Sequence, residues 1–202
     1  MMKTLLVVAE MKEAEPLIRY YSMLKTSNAC INLWSNYNHD LCLIVTGPGI
    51  NNVISSLSKA VYLNVLNIKT NIINVGYAGA KGLNIGEVIC VKNCHCLEFP
   101  TKANTKVENC IKLSNEGYDC YTSFDFVEKA ETIKEKALFD MELAYIARFV
   151  YCKLYSIKIV SDNLDYNTFK EFNSDKAWRQ VIEKIEKIRK ENGIYGIRQE
   201  PN

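Results

Sequence analysis

The chain has 202 residues, 48% hydrophobic and 24% charged, the proportions of a globular protein and not of a disordered or fibrous one. Its 25 Lys and Arg against 23 Asp and Glu leave a formal net charge of +2, too small to create a field that gathers nucleic acid or an anionic membrane. A small-molecule partner is expected, and no segment approaches the ~20 uninterrupted apolar residues of a bilayer span.

The opening Met1–Ala9 runs straight into Glu10 and Glu13, so it reads as a first strand, Thr4–Ala9, and not as a signal peptide. A strand around Ile31–Tyr37 turns through Asn38-His39-Asp40 into another at Leu41–Thr46, forming a hairpin. Thr46-Gly47-Pro48-Gly49 then opens a helix whose Val53, Ile54, Leu57, Ala60 and Val61 recur at the spacing of one buried stripe. Asn71–Val75 and Glu87–Lys92 are further strands, the first followed by Gly76-Tyr77-Ala78-Gly79. Cys94–Thr122 has no clear period and is expected to be loop, apart from a short strand at Tyr118–Thr122. Met141, Ala144, Tyr145 and Phe149 predict a helix over Ala137–Cys152. Ser156–Val160 is the fifth principal strand, and it runs into Ser161-Asp162-Asn163-Leu164-Asp165. A last helix begins after Ser174-Asp175, buries Trp178, Val181, Ile182, Ile185 and Ile188, and stops at Gly193.

Most of these strands are continuously apolar, as strands covered on both faces are, and they alternate with helices. The fold class is therefore α/β, and the absence of repeats or a linker predicts one domain over residues 1–202. Eight cysteines in a chain with this much core read as reduced thiols, which predicts a cytoplasmic protein. Cys94-His95-Cys96 invites a metal reading. Adjacent residues of an extended segment point to opposite sides, however, and no second Cys-x-x-Cys completes a zinc site, so buried or incidental thiols are preferred and no metal is expected.

In an α/β sheet, ligands bind beyond the carboxyl ends of the strands, which draws attention to four places. These are the acidic turn with Glu10 and Glu13, the glycine turns at Thr46–Gly49 and Gly76–Gly79, and Ser161-Asp162. Neither glycine turn has the spacing of a dinucleotide fingerprint or the Lys and Ser/Thr of a phosphate loop, so neither nicotinamide nor ATP is indicated. Asp162 sits where the sheet opens, although an N-cap or Asx turn would also place a carboxylate there. Glu142 lies within Leu138-Phe139-Asp140-Met141-Glu142-Leu143-Ala144, where burial demands a strong hydrogen-bond partner. A sugar diol is one candidate and a structural Arg or Lys another.

Taken together and in order, Ala9–Leu17, Ile72–Gly79 with Leu83–Val88, Thr122–Val127, Asp140-Met141-Glu142 and Ser161-Asp162 resemble the nucleoside phosphorylase family, in its methylthioadenosine/adenosylhomocysteine nucleosidase branch. The resemblance implies a three-layer fold with a central mixed twisted sheet between helices, and a homodimer. It implies hydrolysis of the N-glycosidic bond of an adenine nucleoside without a cofactor. Asp162 would be the general acid at purine N7, paired with Ser161, and Glu13, a better match than Glu10, would activate water. Phe126 would stack on the base, the Val127 backbone would bind its edge, Met141 would pack against the sugar and Glu142 would bind its hydroxyls, with Tyr77 near the water. The chain is shorter than the family across Cys94–Cys120, which bears on the 5′ end of the substrate. A phosphorylase would need a cationic phosphate clamp, but Asn74 replaces the arginine that many carry there, and Arg19 and Arg148 fall on helix patterns. Hydrolysis is thus preferred, with a phosphorylase or a non-catalytic nucleoside-binding protein of the same fold as rivals.

Overall fold

The computed structural model describes residues 3–26, 30–97, 110–128, 130, 133 and 136–193. Their strands are β1 (Lys3–Val8), β2 (Leu24–Lys25), β3 (Leu33–Ser35), β4 (Leu41–Val45), β5 (Thr70–Lys81), β6 (Val88–Cys96), β7 (Cys110–Lys112), β8 (Tyr118–Thr122), β9 (Ala137–Asp140) and β10 (Leu154–Asp162). The helices are α1 (Met11–Tyr20), α2 (Ile50–Tyr62), α3 (Leu143–Phe149), α4 (Tyr166–Glu171) and α5 (Asp175–Glu191). No helix among these residues is long and apolar enough to cross a membrane.

All ten strands belong to one mixed sheet, in which β4, β1, β5 and β10 run parallel side by side. Their carboxyl ends therefore lie together. The long β5 splits its pairing: residues 72–79 run beside β10, while Gly79–Lys81 run antiparallel to β9. With β10 on β6, β6 on β8 and β8 on β9, these five strands close on themselves. Gly79 stands at the fork, paired to both Asp162 and Phe139.

Period-two alternation divides the core between the two faces. On one, Leu5, Val7, Ile72, Ala78 and Val160 pack with Val53 and Leu57 of α2 and Leu143 and Ile146 of α3. On the other, Leu6, Val8, Ile73, Val75, Ile157 and Ile159 pack with Ala14 and Leu17 of α1 and Trp178, Val181 and Ile185 of α5. The α/β class and the helix-flanked mixed sheet agree with the sequence reading.

Two segments differ from it. The expected helix over Ala137–Cys152 begins only at Leu143, because the wholly buried Ala137–Asp140 is drawn into the sheet between β8 and β5. Asp140 then receives the Leu143 amide on Oδ2 at 3.0 Å, which starts the helix there. The stretch expected as loop from Cys94 contains the end of β6 and the short β7, while Pro100, Lys102, Asn104, Lys106 and Glu108 lie outside the described residues, as does the tail beyond Gly193.

The strand hairpin β3–β4 is bound to α5 by charge. Arg189 is 5% exposed, and its Nη2 lies 2.8 Å from Asp40 Oδ2 while its Nη1 lies 3.1 Å from Glu186 Oε1. Removing one member of a buried pair strands the other charge. Arg189→Met is therefore expected to lose about 3–5 kcal/mol of unfolding free energy in urea titration, and Asp40→Asn in the same chain should restore much of that loss.

Candidate functional site

The site is assembled where β1, β4, β5 and β10 end. Only Ala9 and Glu10 separate β1 from α1, whose first turn carries Glu13 back over the sheet. Glu13 is 4% exposed, and its two oxygens collect three backbone amides: Ala9 at 2.9 Å and Glu10 at 3.0 Å on Oε2, and Tyr77 at 2.9 Å on Oε1. Burial raises its pKa above the usual glutamate value, against the amides of Tyr77, Glu10 and Ala9 and the charge of Lys158, which favour the ionised form. Gly76 makes the approach possible, since a Cβ there would stand 2.9 Å from Glu13 Oε1.

Asp162 ends β10 at a break in register with β5. It is 1% exposed, with Oδ2 accepting from the Ser161 hydroxyl at 2.7 Å and Oδ1 from the Leu164 amide at 2.9 Å. Gly79 plays the same part here as Gly76 does for Glu13: a Cβ would meet Asp162 Oδ1 at 2.9 Å.

Glu142 stands at the N-cap of α3 instead of inside a helix, and its Oε1 accepts the Gly49 amide at 2.9 Å across 93 residues of chain. Behind it lies a buried ion pair, Lys158 Nζ to Asp140 Oδ2 at 2.6 Å, with Thr122 Oγ1 donating to Asp140 Oδ1 at 2.6 Å and itself accepting the Ala144 amide at 2.9 Å. Lys158 is 1% exposed in the middle of β10 and pairs in register with Gly76, so it projects on the face to which Glu13 reaches. Burial works against its charge, but Asp140 and the surrounding acids outweigh burial and raise its pKa. Burial and then the Asp140 charge push Glu142 up to about 7, with the charges of Lys158 and Glu13 acting in opposite directions on it.

The three acids expected from the sequence all lie at the end of the sheet where these strands finish: Glu13 and Glu142 are close enough to act on each other and on Lys158, while Asp162 lies against Gly79, two residues beyond Tyr77 on β5. Met141, Phe126 and Val127, together with Gly79, Asp140 and Leu164, line a narrow cleft of about 30 Å³. Phe126 meets Tyr166 edge-on at 5.4 Å and Phe169 at 6.2 Å, so α4 covers this side. Tyr77 is placed otherwise. Its ring turns to the opposite face, 6.2 Å from Trp178 and 5.7 Å from Phe172, with its hydroxyl 2.8 Å from Ser174 Oγ, because it lies in register with Ile159. Its contribution to the cluster is the backbone amide that holds Glu13. Asn74 is held by Val7 O and Ser156 Oγ, and Arg19 and Arg148 are exposed. Of the Cys94-His95-Cys96 segment, Cys94 is buried and His95 Nε2 lies 2.9 Å from Asp119 Oδ2, and among the described residues no cluster of His, Cys, Asp and Glu could hold a metal.

Lys158, Asp140 and Gly49 were not singled out for these contacts by sequence reasoning. The signal for Lys158 was a lone cation within Ile157–Val160, which has no place in a buried strand without a carboxylate facing it.

No protein-family model and no curated protein matches the sequence, but solved structures do. The 5′-methylthioadenosine nucleosidase of Arabidopsis thaliana aligns at a TM-score of 0.73 and 18% identity over 91% of this chain and 95% of its own. The chain has the methylthioadenosine nucleosidase fold. The 5′-methylthioadenosine/S-adenosylhomocysteine nucleosidase of S. pneumoniae, solved with a transition-state inhibitor, gives 0.73 and 16% over 90% and 96%. The futalosine hydrolase of Helicobacter pylori gives 0.70 and 12% over 91% and 98%.

Holding Glu142 ionised in this cluster costs stability. Its pKa in the folded chain, about 7, exceeds the ordinary 4.5, so its contribution to stability is greatest below 4.5 and is lost as pH rises toward 7. A shift of that size corresponds to roughly 3 kcal/mol against the ionised folded state. Glu142→Gln should therefore raise the melting temperature at pH 8 and have little effect at pH 5, as read by scanning calorimetry of both proteins at both pH values.

Proposed function

We infer that this chain is a purine nucleosidase that hydrolyses the N-glycosidic bond of an adenine nucleoside such as methylthioadenosine or adenosylhomocysteine. The observation that carries this is the gathering of Glu13, Glu142 and Asp162 at the end of the sheet where the parallel strands finish, each carboxylate held by hydrogen bonds, in a fold shared with nucleosidases.

Cleaving a purine from a sugar requires a proton for the leaving base, negative charge near an oxocarbenium-like carbon, and an activated nucleophile. In this reading the base lies between Phe126 and the Gly79 strand, its edge meets the Val127 backbone, and Asp162 gives its proton to N7 while Ser161 orients the carboxyl. Met141 packs against the ribose, and Glu142 accepts from its hydroxyls. Glu13, clamped by three amides, takes a proton from water below the anomeric carbon. The residues need no cofactor for these steps.

Water is favoured over phosphate by the charge of the site. Glu13, Asp140 and Glu142 all act on a single buried ammonium, Lys158, which is already engaged by Asp140. A phosphate dianion would meet net negative charge in a low-dielectric setting. We further take residues 1–202 as one nucleoside phosphorylase-like domain. Eight free cysteines support a cytoplasmic location, and Ile54, Val61 and Tyr62, exposed along α2, support a homodimer.

A panel of purine nucleosides assayed with and without phosphate tests the reading. The expected products are adenine and the free sugar at a rate independent of phosphate; a sugar 1-phosphate would make the chain a phosphorylase. Asp162→Asn should keep nucleoside affinity within a few-fold but lose about 10²–10⁴ in kcat, whereas Glu142→Gln should weaken both binding and turnover. Near-normal turnover by folded Asp162→Asn would return Asp162 to a turn-capping role. Sedimentation of the active preparation should give a dimer, and a stable active monomer would remove that assignment.

A further inference from the structure

The cleft beside Gly79, Phe126 and Met141 holds about 30 Å³, space for a water or two, where small-molecule sites run to about 300–1,000 Å³. Leu164 forms part of its wall. Leu164 also borders a second, largely open groove of about 610 Å³, walled by the β5 turn Ala80–Asn84, by Glu128 and Ala130, and by Asn163. The two spaces follow one another along three segments. β5 gives Gly79 to the first and Ala80–Asn84 to the second, the loop gives Asp125–Val127 to the first and Glu128 and Ala130 to the second, and Leu164 stands between them.

Leu164 is an unusual partition. Its φ of +65° is a left-handed conformation that a leucine adopts at a cost, and its amide is fixed to Asp162 Oδ1 at 2.9 Å. A purine that presents N7 to Asp162 presents its C6 exocyclic group along the same edge. With the base in that placement the edge would point toward Leu164 and the larger space beyond it, whose wall combines the apolar Ala80, Leu83 and Leu164 with the neutral Asn84 and Asn163 and, at its exposed rim, Glu128. The Lys81 ammonium is occupied, with Nζ 2.8 Å from Ala130 O.

We propose that the two spaces form one substrate site when the Leu164 side chain moves aside, and that the site accepts adenine nucleosides bearing an uncharged apolar substituent on the exocyclic nitrogen. This substrate class rests on the nucleosidase reading above. The small cleft alone lacks room for a purine, so Leu164 must yield to any base, and the volume it yields into continues along the C6 direction.

The test compares 5′-methylthioadenosine with its N6-benzyl derivative, in the full chain and in Asn84→Trp, whose indole would fill the larger space from an exposed turn position. Base release is followed by chromatography, and binding of adenine and of N6-benzyladenine by calorimetry. The expected result is a kcat/KM for the benzyl compound within tenfold of the parent, with Asn84→Trp lowering it at least tenfold while changing the parent less than twofold. Cleavage of the parent with more than tenfold discrimination against the benzyl compound would overturn the proposal, as would an equal loss for both substrates in Asn84→Trp. Cleavage of neither nucleoside, with N6-benzyladenine bound at least as tightly as adenine and released by Asn84→Trp, would overturn the nucleosidase reading and uphold the cavity assignment. Binding of neither base would overturn both.

Discussion

An ammonium group taken into the dry middle of a sheet costs several kcal/mol unless a carboxylate meets it with good geometry and its remaining hydrogen bonds are met. Lys158 is in that position, and Asp140 meets it at 2.6 Å. The pair sets much of what surrounds it. Asp140 must end β9 opposite β10, Thr122 of β8 must face Asp140 to satisfy its other oxygen, and α3 must begin where Asp140 can accept its first free amide. That beginning is what leaves Glu142 at the helix N-cap, turned toward Gly49. The position of one candidate ribose ligand thus follows from the accommodation of a single buried lysine.

The same pair limits how much negative charge the site tolerates. Lys158 favours the ionised forms of Glu13 and Glu142, yet both remain above the ordinary glutamate range because burial outweighs it. Backbone amides do the rest of the holding, three on Glu13 and one on Glu142. Gly76 and Gly79 complete the arrangement by absence: at each, a side chain would collide with the carboxylate of Glu13 or Asp162. Acid groups raised toward neutrality and fixed by dipoles in a water-poor pocket suit the stabilisation of a cationic sugar more than the capture of an anion.

Much of the sheet was legible because buried parallel strands announce themselves as continuous apolar runs, and Glu13, Glu142 and Asp162 stood out as carboxylates beside such runs. β9 was not, since Ala137-Leu138-Phe139-Asp140 extends into Met141–Phe149 with a pattern that a helix fits equally well; pairing with β5 and β8, more than fifteen positions away in each case, decides it. α4 was missed because six residues are too few to show a period, although Asp165 capping the amides of Asn167 and Thr168 was a local sign of it. The direction of the Tyr77 ring depends on its register with Ile159, which lies 82 positions along the chain and leaves no trace in local sequence.

If the site exists to stabilise positive charge at the anomeric carbon, it should distinguish charge more than shape. The most direct measurement is calorimetric titration of the chain with two adenine nucleoside analogues of the same size, one carrying a protonated pyrrolidine in place of the ribose ring and one with a neutral carbocycle. The account predicts that the cationic analogue binds at least about 100-fold more tightly, in the range by which transition-state mimics exceed substrates, and that Glu13→Gln removes most of that preference. Equal affinity for the two analogues, or tighter binding of the neutral one, would contradict it.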